Sequence, residues 1–190
     1  MAFVEIKIPN SAMQFLSSIP RYLYDMGGTD QRRPLEKAGQ YMLNKFAERI
    51  ERQGGSGYWK GLEKSTRDQR SYQGYGSERP IFIRKGSLLK AAGQKKWRGT
   101  SYRGTDVKNV WEMTNTPFVG GRTIPRWELL VGVESDYIRS LNYGNRGRNI
   151  AARPFIYADR TDEVYIKNIY KEWMTEVVDR INQRRGNANP

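Results

Sequence analysis

The sequence predicts an α+β fold: a mostly antiparallel sheet packed against two long helices, with long loops. Three observations carry that reading. Residues 34–53 and 162–185 each place apolar side chains at helical spacing along one face. Residues 2–8 and 127–133 alternate apolar with other residues, as a strand with one buried face does. Strands and helices do not follow one another regularly, as the βαβ units of a parallel sheet would.

Taken in order, Ala2, Val4, Ile6 and Ile8 share one face of the first strand, with Phe3, Glu5 and Lys7 on the other; Pro9 ends it. A weaker helical pattern covers residues 11–26 through Met13, Leu16, Ile19 and Leu23, interrupted by Pro20 and closed by Gly27-Gly28. In the first long helix, Leu35, Ala38, Met42, Phe46 and Ile50 form the stripe and Leu43 widens it. Asp30 caps it, Pro34 suits its first turn, and Gly54-Gly55 stops it. Residues 56–80 are rich in Gly, Ser, Tyr and Arg and read as a loop. A short strand at Pro80–Ile83 leads through Gly86 into a short helix capped by Ser87 and carrying Leu88, Leu89, Ala91 and Ala92. A second polar loop follows.

Two further strands are expected at residues 107–113 and 127–133, joined by an extended flap containing Pro117, Gly120-Gly121 and Pro125. Gly132, without a side chain, lets another backbone approach closely. The last helix has Ile166, Ile169, Tyr170, Trp173, Val177 and Ile181 on its stripe, Thr161 as a cap and Gly186 as its close. Asp162 and Glu163 at its start and Arg184 and Arg185 at its end suit the helix dipole. The organisation expected is one domain over residues 1–190. Its core spans about residues 34–183, with mobile loops near 54–80, 93–106 and 114–126.

Composition narrows the chemistry. The 190 residues include no cysteine and no histidine. Thiol chemistry, the usual zinc sites and every Ser-His or Cys-His nucleophile pair are therefore excluded. No Walker loop and no Asp-x-Asp pair is present, so the reading is that the protein is not an enzyme and needs no cofactor or metal. Mean hydropathy is −0.80, and no apolar run has membrane-spanning length. The expectation is a soluble protein made in the cytoplasm, without membrane contact.

Charge points toward an acidic partner. Lys and Arg number 33 against 20 Asp and Glu, a net charge of +13. Between Arg52 and Gly104 there are 13 basic and 3 acidic residues, interleaved with Tyr58, Trp59, Tyr72, Tyr75, Phe82, Trp97 and Tyr102. Such a mixture suits phosphate pairing and base stacking, and equally a solvated arm or a surface facing an acidic protein. Lys95, Lys96, Trp97, Arg98 and Arg103 are the candidate contact residues of that stretch.

Four segments together resemble the tail completion and virion morphogenesis proteins of tailed phages. "GYWKGLEKSTRDQR" looks like their Trp-x-x-Leu-x-x-x-Thr segment, here with Trp59. "IFIRKGSLLKAA" looks like their strand, glycine turn at Gly86 and short helix. "LLVGVESDYIRSLNYG" looks like their VxVGTxxxYAxxxxxG segment, with Gly132, Tyr137 and Gly144 at the matching positions. "IAARPF" looks like their IPARPF segment, with Pro154 and Phe155, ahead of a C-terminal helix that here carries Trp173. The order matches over roughly residues 35–183. Lys85, Ile138 and Ala152 depart from the pattern, and the loops near 71–79 and 112–126 are long for it.

The resemblance implies a structural, non-enzymatic virion protein of the neck or tail top. It would assemble as a ring, often a hexamer, and join tail to head against neighbouring neck, tail terminator or tail tube proteins. The alternative is a basic nucleic-acid-binding module contacting the packaged genome non-specifically; a carboxylate-metal nuclease stands third. Arg153, held extended by Pro154, has two readings. It is a corner residue bonding local carbonyls or a carboxylate such as Glu134 or Asp136, or it makes an inter-subunit salt bridge. A strand through it would send Phe155 and Tyr157 one way and Ile156 the other.

Overall fold

A computed structural model describes residues 1–19, 30–52, 59, 61, 63–74, 86–95, 98–100, 106–119, 123–148 and 150–187. In chain order the elements are β1 (Ala2–Lys7), α1 (Asn10–Ser18), α2 (Arg32–Glu51), α3 (Lys64–Tyr72), α4 (Ser87–Gly93), β2 (Arg98–Thr100), β3 (Asp106–Val119), β4 (Thr123–Glu134), α5 (Ile138–Tyr143), a 3-10 turn (Arg146–Arg148) and α6 (Arg160–Asn187). The fold is α+β. Its four strands form one antiparallel sheet in the order β1-β4-β3-β2. β2 pairs with β3 in the register Arg98–Lys108, Gly99–Val107, Thr100–Asp106. No described helix is long and apolar enough to cross a membrane.

The chain groups into two compact units, each assembled from separate stretches. One comprises Met1–Val4, Gln40–Trp111 and Leu130–Tyr157. Its core contains Met42, Phe46 and Ile50 of α2, Val107 and Val110 of β3, and Val131 and Val133 of β4. The helical stripe of α2 and the alternation of β4 are thus buried as their periods require. Gly132 is needed here because a Cβ on it would lie 2.2 Å from the Ala2 carbonyl oxygen and 2.6 Å from Phe3 Cα. The expected close approach is made by the backbone of β1. Gly86, at a φ of 76°, turns the chain into α4, and Leu88, Ala91 and Ala92 bury that helix. Ser87 donates its hydroxyl to the Thr100 carbonyl at 2.6 Å rather than capping the helix.

The other unit comprises Glu5–Gly39, Glu112–Leu129 and Ala158–Pro190. Ile6, Ile8, Leu16, Leu35 and Ala38 are buried there, with Ile169, Tyr170, Trp173, Val177 and Ile181 of α6. Ile166 of the expected stripe is half-buried, and Asp162 takes a buried place instead. Lys37 bonds Glu172 at 3.2 Å and Arg33 reaches Glu176 at 3.4 Å, tying α2 to α6. These pairs are more than half exposed or close to it, so they set register more than they stabilise. Asp30 caps α2 as expected: its carboxylate accepts the Arg32 N–H at 3.1 Å and pairs with the Arg32 side chain. That hydrogen-bonded guanidinium holds the Asp30 carboxyl below its ordinary pKa.

Several expectations are corrected. Residues 114–126 are not a flap: β3 runs to Val119 and β4 begins at Thr123, leaving three residues between them. Pro117 and Pro125 misled the reading. A proline cannot donate to a sheet ladder, so in the sequence it reads as a break. The loop expected at 54–80 contains α3, which shows no apolar stripe because only Arg70 of it is buried. The loop expected at 93–106 contains β2. α6 begins at Arg160 rather than Asp162, and Asp159 and Asp162 cap it reciprocally at 2.9 and 3.0 Å, in place of Thr161. It also runs through Gly186. α1 ends at Ser18, and the remainder of the pattern to Met26, like the strand expected at 80–83, lies outside the described residues.

Candidate functional site

Residues 141–148 and 150–157 form a corner held by hydrogen bonds and by the buried side chains of Phe155 and Ile156. The chain leaves β4 through Ser135 and Asp136 and forms α5, whose first flank is Tyr137. Ile138 and Asn142, one helical turn apart, are its buried residues. Gly144 follows at a φ of 78°, where an added Cβ would lie 2.9 Å from the Ala152 nitrogen. Only glycine combines that dihedral with that clearance. Asn145 and Ile150 then exchange backbone bonds at 2.8 and 2.9 Å, closing a small loop over Arg146–Arg148.

The returning chain is fixed at each residue in turn. Arg153 donates its backbone N–H to Leu141 at 2.8 Å. The Trp59 indole N–H donates to the Pro154 carbonyl at 3.3 Å. The Asn142 amide oxygen accepts both the Phe155 N–H, at 2.9 Å, and the Ile156 N–H, at 3.0 Å, while its NH2 donates to the Ile156 carbonyl at 3.3 Å. Arg49 donates to the Tyr157 carbonyl and lies over the Tyr157 ring, 3.8 Å from its centre. Asn142 is 1% exposed and Arg49 is 6% exposed, so both bonds form away from water, where they count most.

This geometry overturns the strand reading of Phe155–Tyr157. Successive amides in a strand point opposite ways; here two successive amides point at one oxygen. The chain is therefore not pleated, and Phe155 and Ile156 are both buried. Arg153 itself is half-buried, and burial lowers its pKa from the ordinary value. Of the carboxylates considered for it, Glu134 is bonded by Lys108 at 2.8 Å. The hydrogen bonds of its described residues fix the path of the chain through the corner.

The other candidates fall in three places. Trp59, Gly86, Gly132, Gly144, Pro154, Phe155 and Trp173 all hold backbone or core positions, as described above. Lys95 lies 4.3 Å from the centre of the Trp111 ring, and Arg98, in β2, pairs with Asp106 at 3.0 Å. Both candidate cations have intramolecular partners. Lys96, Trp97 and Arg103 lie outside the described residues. Asn142 and Arg49 were missed. Each carried a faint signal: Asn142 stands four residues after Ile138, and Arg49 stands three after Phe46, at the edge of the apolar stripe.

No protein-family model, curated protein or solved structure matches the chain.

Proposed function

We propose that the chain is a structural component of the neck or tail top of a tailed phage, assembling with further copies as a ring that joins tail to head. One observation carries the reading. Three of the four segments on which the resemblance rests meet at the corner: Trp59 from the first, 95 residues before Pro154 in the chain, Asn142 and Gly144 from the third, and Ala152, Pro154 and Phe155 from the neighbouring fourth. The remaining segment supplies Gly86, Leu88, Ala91 and Ala92 to the same compact unit. A motif matched by chance at Trp59 has no reason to hydrogen-bond to Pro154, 95 residues on. The sheet adds support, since among the described residues β1 and β2 are the outer strands of the order β1-β4-β3-β2. Pairing between copies would cover such edges and close into a ring.

The test is native mass spectrometry and electron microscopy of the purified chain, together with its localisation in particles. Closed rings of one subunit number, and the same ring between head and tail, are expected. A chain that stays monomeric at high concentration and is missing from complete particles would refute the reading.

A further inference from the structure

We infer that α5 and the arginine turn after it form a surface, Arg139, Tyr143, Arg146 and Arg148, that binds the phosphate backbone of nucleic acid. This goes beyond the ring reading and stands without it. From Tyr137 to Ala158 the chain has four arginines, no lysine and no carboxylate. Three of the four, Arg139, Arg146 and Arg148, are exposed, and Tyr143 is 60% exposed. Arg139 and Tyr143 stand four residues apart on one face of α5. None of these three arginine side chains takes part in an ion pair among the described residues.

The surface is also preorganised. Gly144 fixes the turn, Asn145 and Ile150 close the loop, and the Arg148 N–H is held by the Asn145 carbonyl at 3.2 Å and by its side chain at 3.1 Å. A ligand therefore orders the arginine side chains but not the backbone beneath them, which lowers the entropy lost on binding. Guanidinium forks fit phosphate oxygens, and an exposed tyrosine offers a base a flat face. An acidic protein is the less suitable partner. Stable protein interfaces bury an apolar centre with a polar rim, and here the exposed residues between Tyr137 and Arg148 are Arg139, Tyr143, Arg146, Gly147 and Arg148, with one aromatic among them. Recognition is assigned to the phosphate backbone and so is independent of sequence, which a scrambled duplex tests. The net charge of +13 draws the polyanion in.

The experiment is fluorescence anisotropy of a short labelled DNA duplex with the full chain over a series of sodium chloride concentrations. Each phosphate contact contributes about 0.9 to the slope of log affinity against log salt. The variant Arg139→Ser/Arg146→Ser/Arg148→Ser is expected to lose about 2.7 from that slope and more than tenfold in affinity. The corresponding triple lysine variant keeps the slope, and a duplex of scrambled sequence binds equally well. The three side chains are exposed and make no ion pair among the described residues, so the melting curve should not change. If the triple variant nevertheless misfolds, Arg148→Ser alone should lose about 0.9. An unchanged slope in the folded variants overturns the inference. So does displacement of the duplex by poly-glutamate at equal charge concentration, which assigns the surface to an acidic protein. Binding by a chain that never forms rings leaves this inference standing and removes the ring reading.

Discussion

Replacing Asn142 by alanine tests the corner most directly. The substitution removes three hydrogen bonds at once: those to the Phe155 N–H, the Ile156 N–H and the Ile156 carbonyl. The side chain is 1% exposed and Phe155 and Ile156 are buried, so water cannot readily replace it. A buried backbone group left unpaired costs about 1–3 kcal/mol. Three such groups, with some relief from local relaxation, give an expected loss of roughly 3–5 kcal/mol, a large part of the ~5–15 kcal/mol that a domain has. Urea unfolding followed by circular dichroism would read this as a midpoint lowered by about 1.5–2.5 M at an m-value near 2 kcal/mol/M. Asn142→Asp keeps the acceptor oxygen but sets a second carboxyl oxygen against the Ile156 carbonyl in a buried site, so it should also lose stability rather than restore it. A loss under about 1 kcal/mol for the alanine variant, with m unchanged, would show that the corner does not depend on this amide.

Further outcomes are expected elsewhere. Gly132→Ala drives a Cβ into the backbone of β1 at Ala2 and Phe3; hydrogen exchange of residues 2–7 should accelerate, with a stability loss of ~1–3 kcal/mol or more, and unchanged protection of β1 would contradict the geometry. Tyr170 is 1% exposed, its hydroxyl has no hydrogen-bond partner among the described residues, and burial pushes its pKa far up. Tyr170→Phe should therefore match or exceed wild-type stability, by up to ~1–2 kcal/mol in a thermal melt; a clear loss would reveal a bonded hydroxyl. Trp173→Ala should lose about 3–5 kcal/mol, since Trp173 is 4% exposed on the buried face of α6; wild-type melting would remove that helix from the core.

What the sequence shows depends on whether the responsible interaction is local. The stripes of α2 and α6 were legible because each burial event repeats every three or four residues, so the pattern reports itself. Gly132 was legible because a glycine in an alternating strand needs a reason. α3 was not, since a helix with one buried residue has no stripe to read. The full lengths of β3 and β4 were hidden by Pro117 and Pro125, since a proline has no N–H to give a ladder and reads as a break. At the corner, Trp59, Pro154 and Phe155 were singled out by motif, but the groups that bind the chain there, Asn142 and Arg49, act on residues 13–14 and 108 positions away. A lone buried amide leaves no periodic trace.

The position of β1 at one side of the sheet has a consequence during translation. Ala2 and Phe3 lie against Gly132, so a strand made early waits for a strand made about 130 residues later. At roughly 5–20 residues per second the ribosome takes on the order of 7–26 s to supply it. Through that interval Ile6 and Ile8, buried in the finished protein, have no β4 to settle beside. On a crowded message the nearest complementary strand belongs to the chain emerging from the next ribosome, so high expression should favour mispaired nascent chains and slow initiation should favour the native sheet.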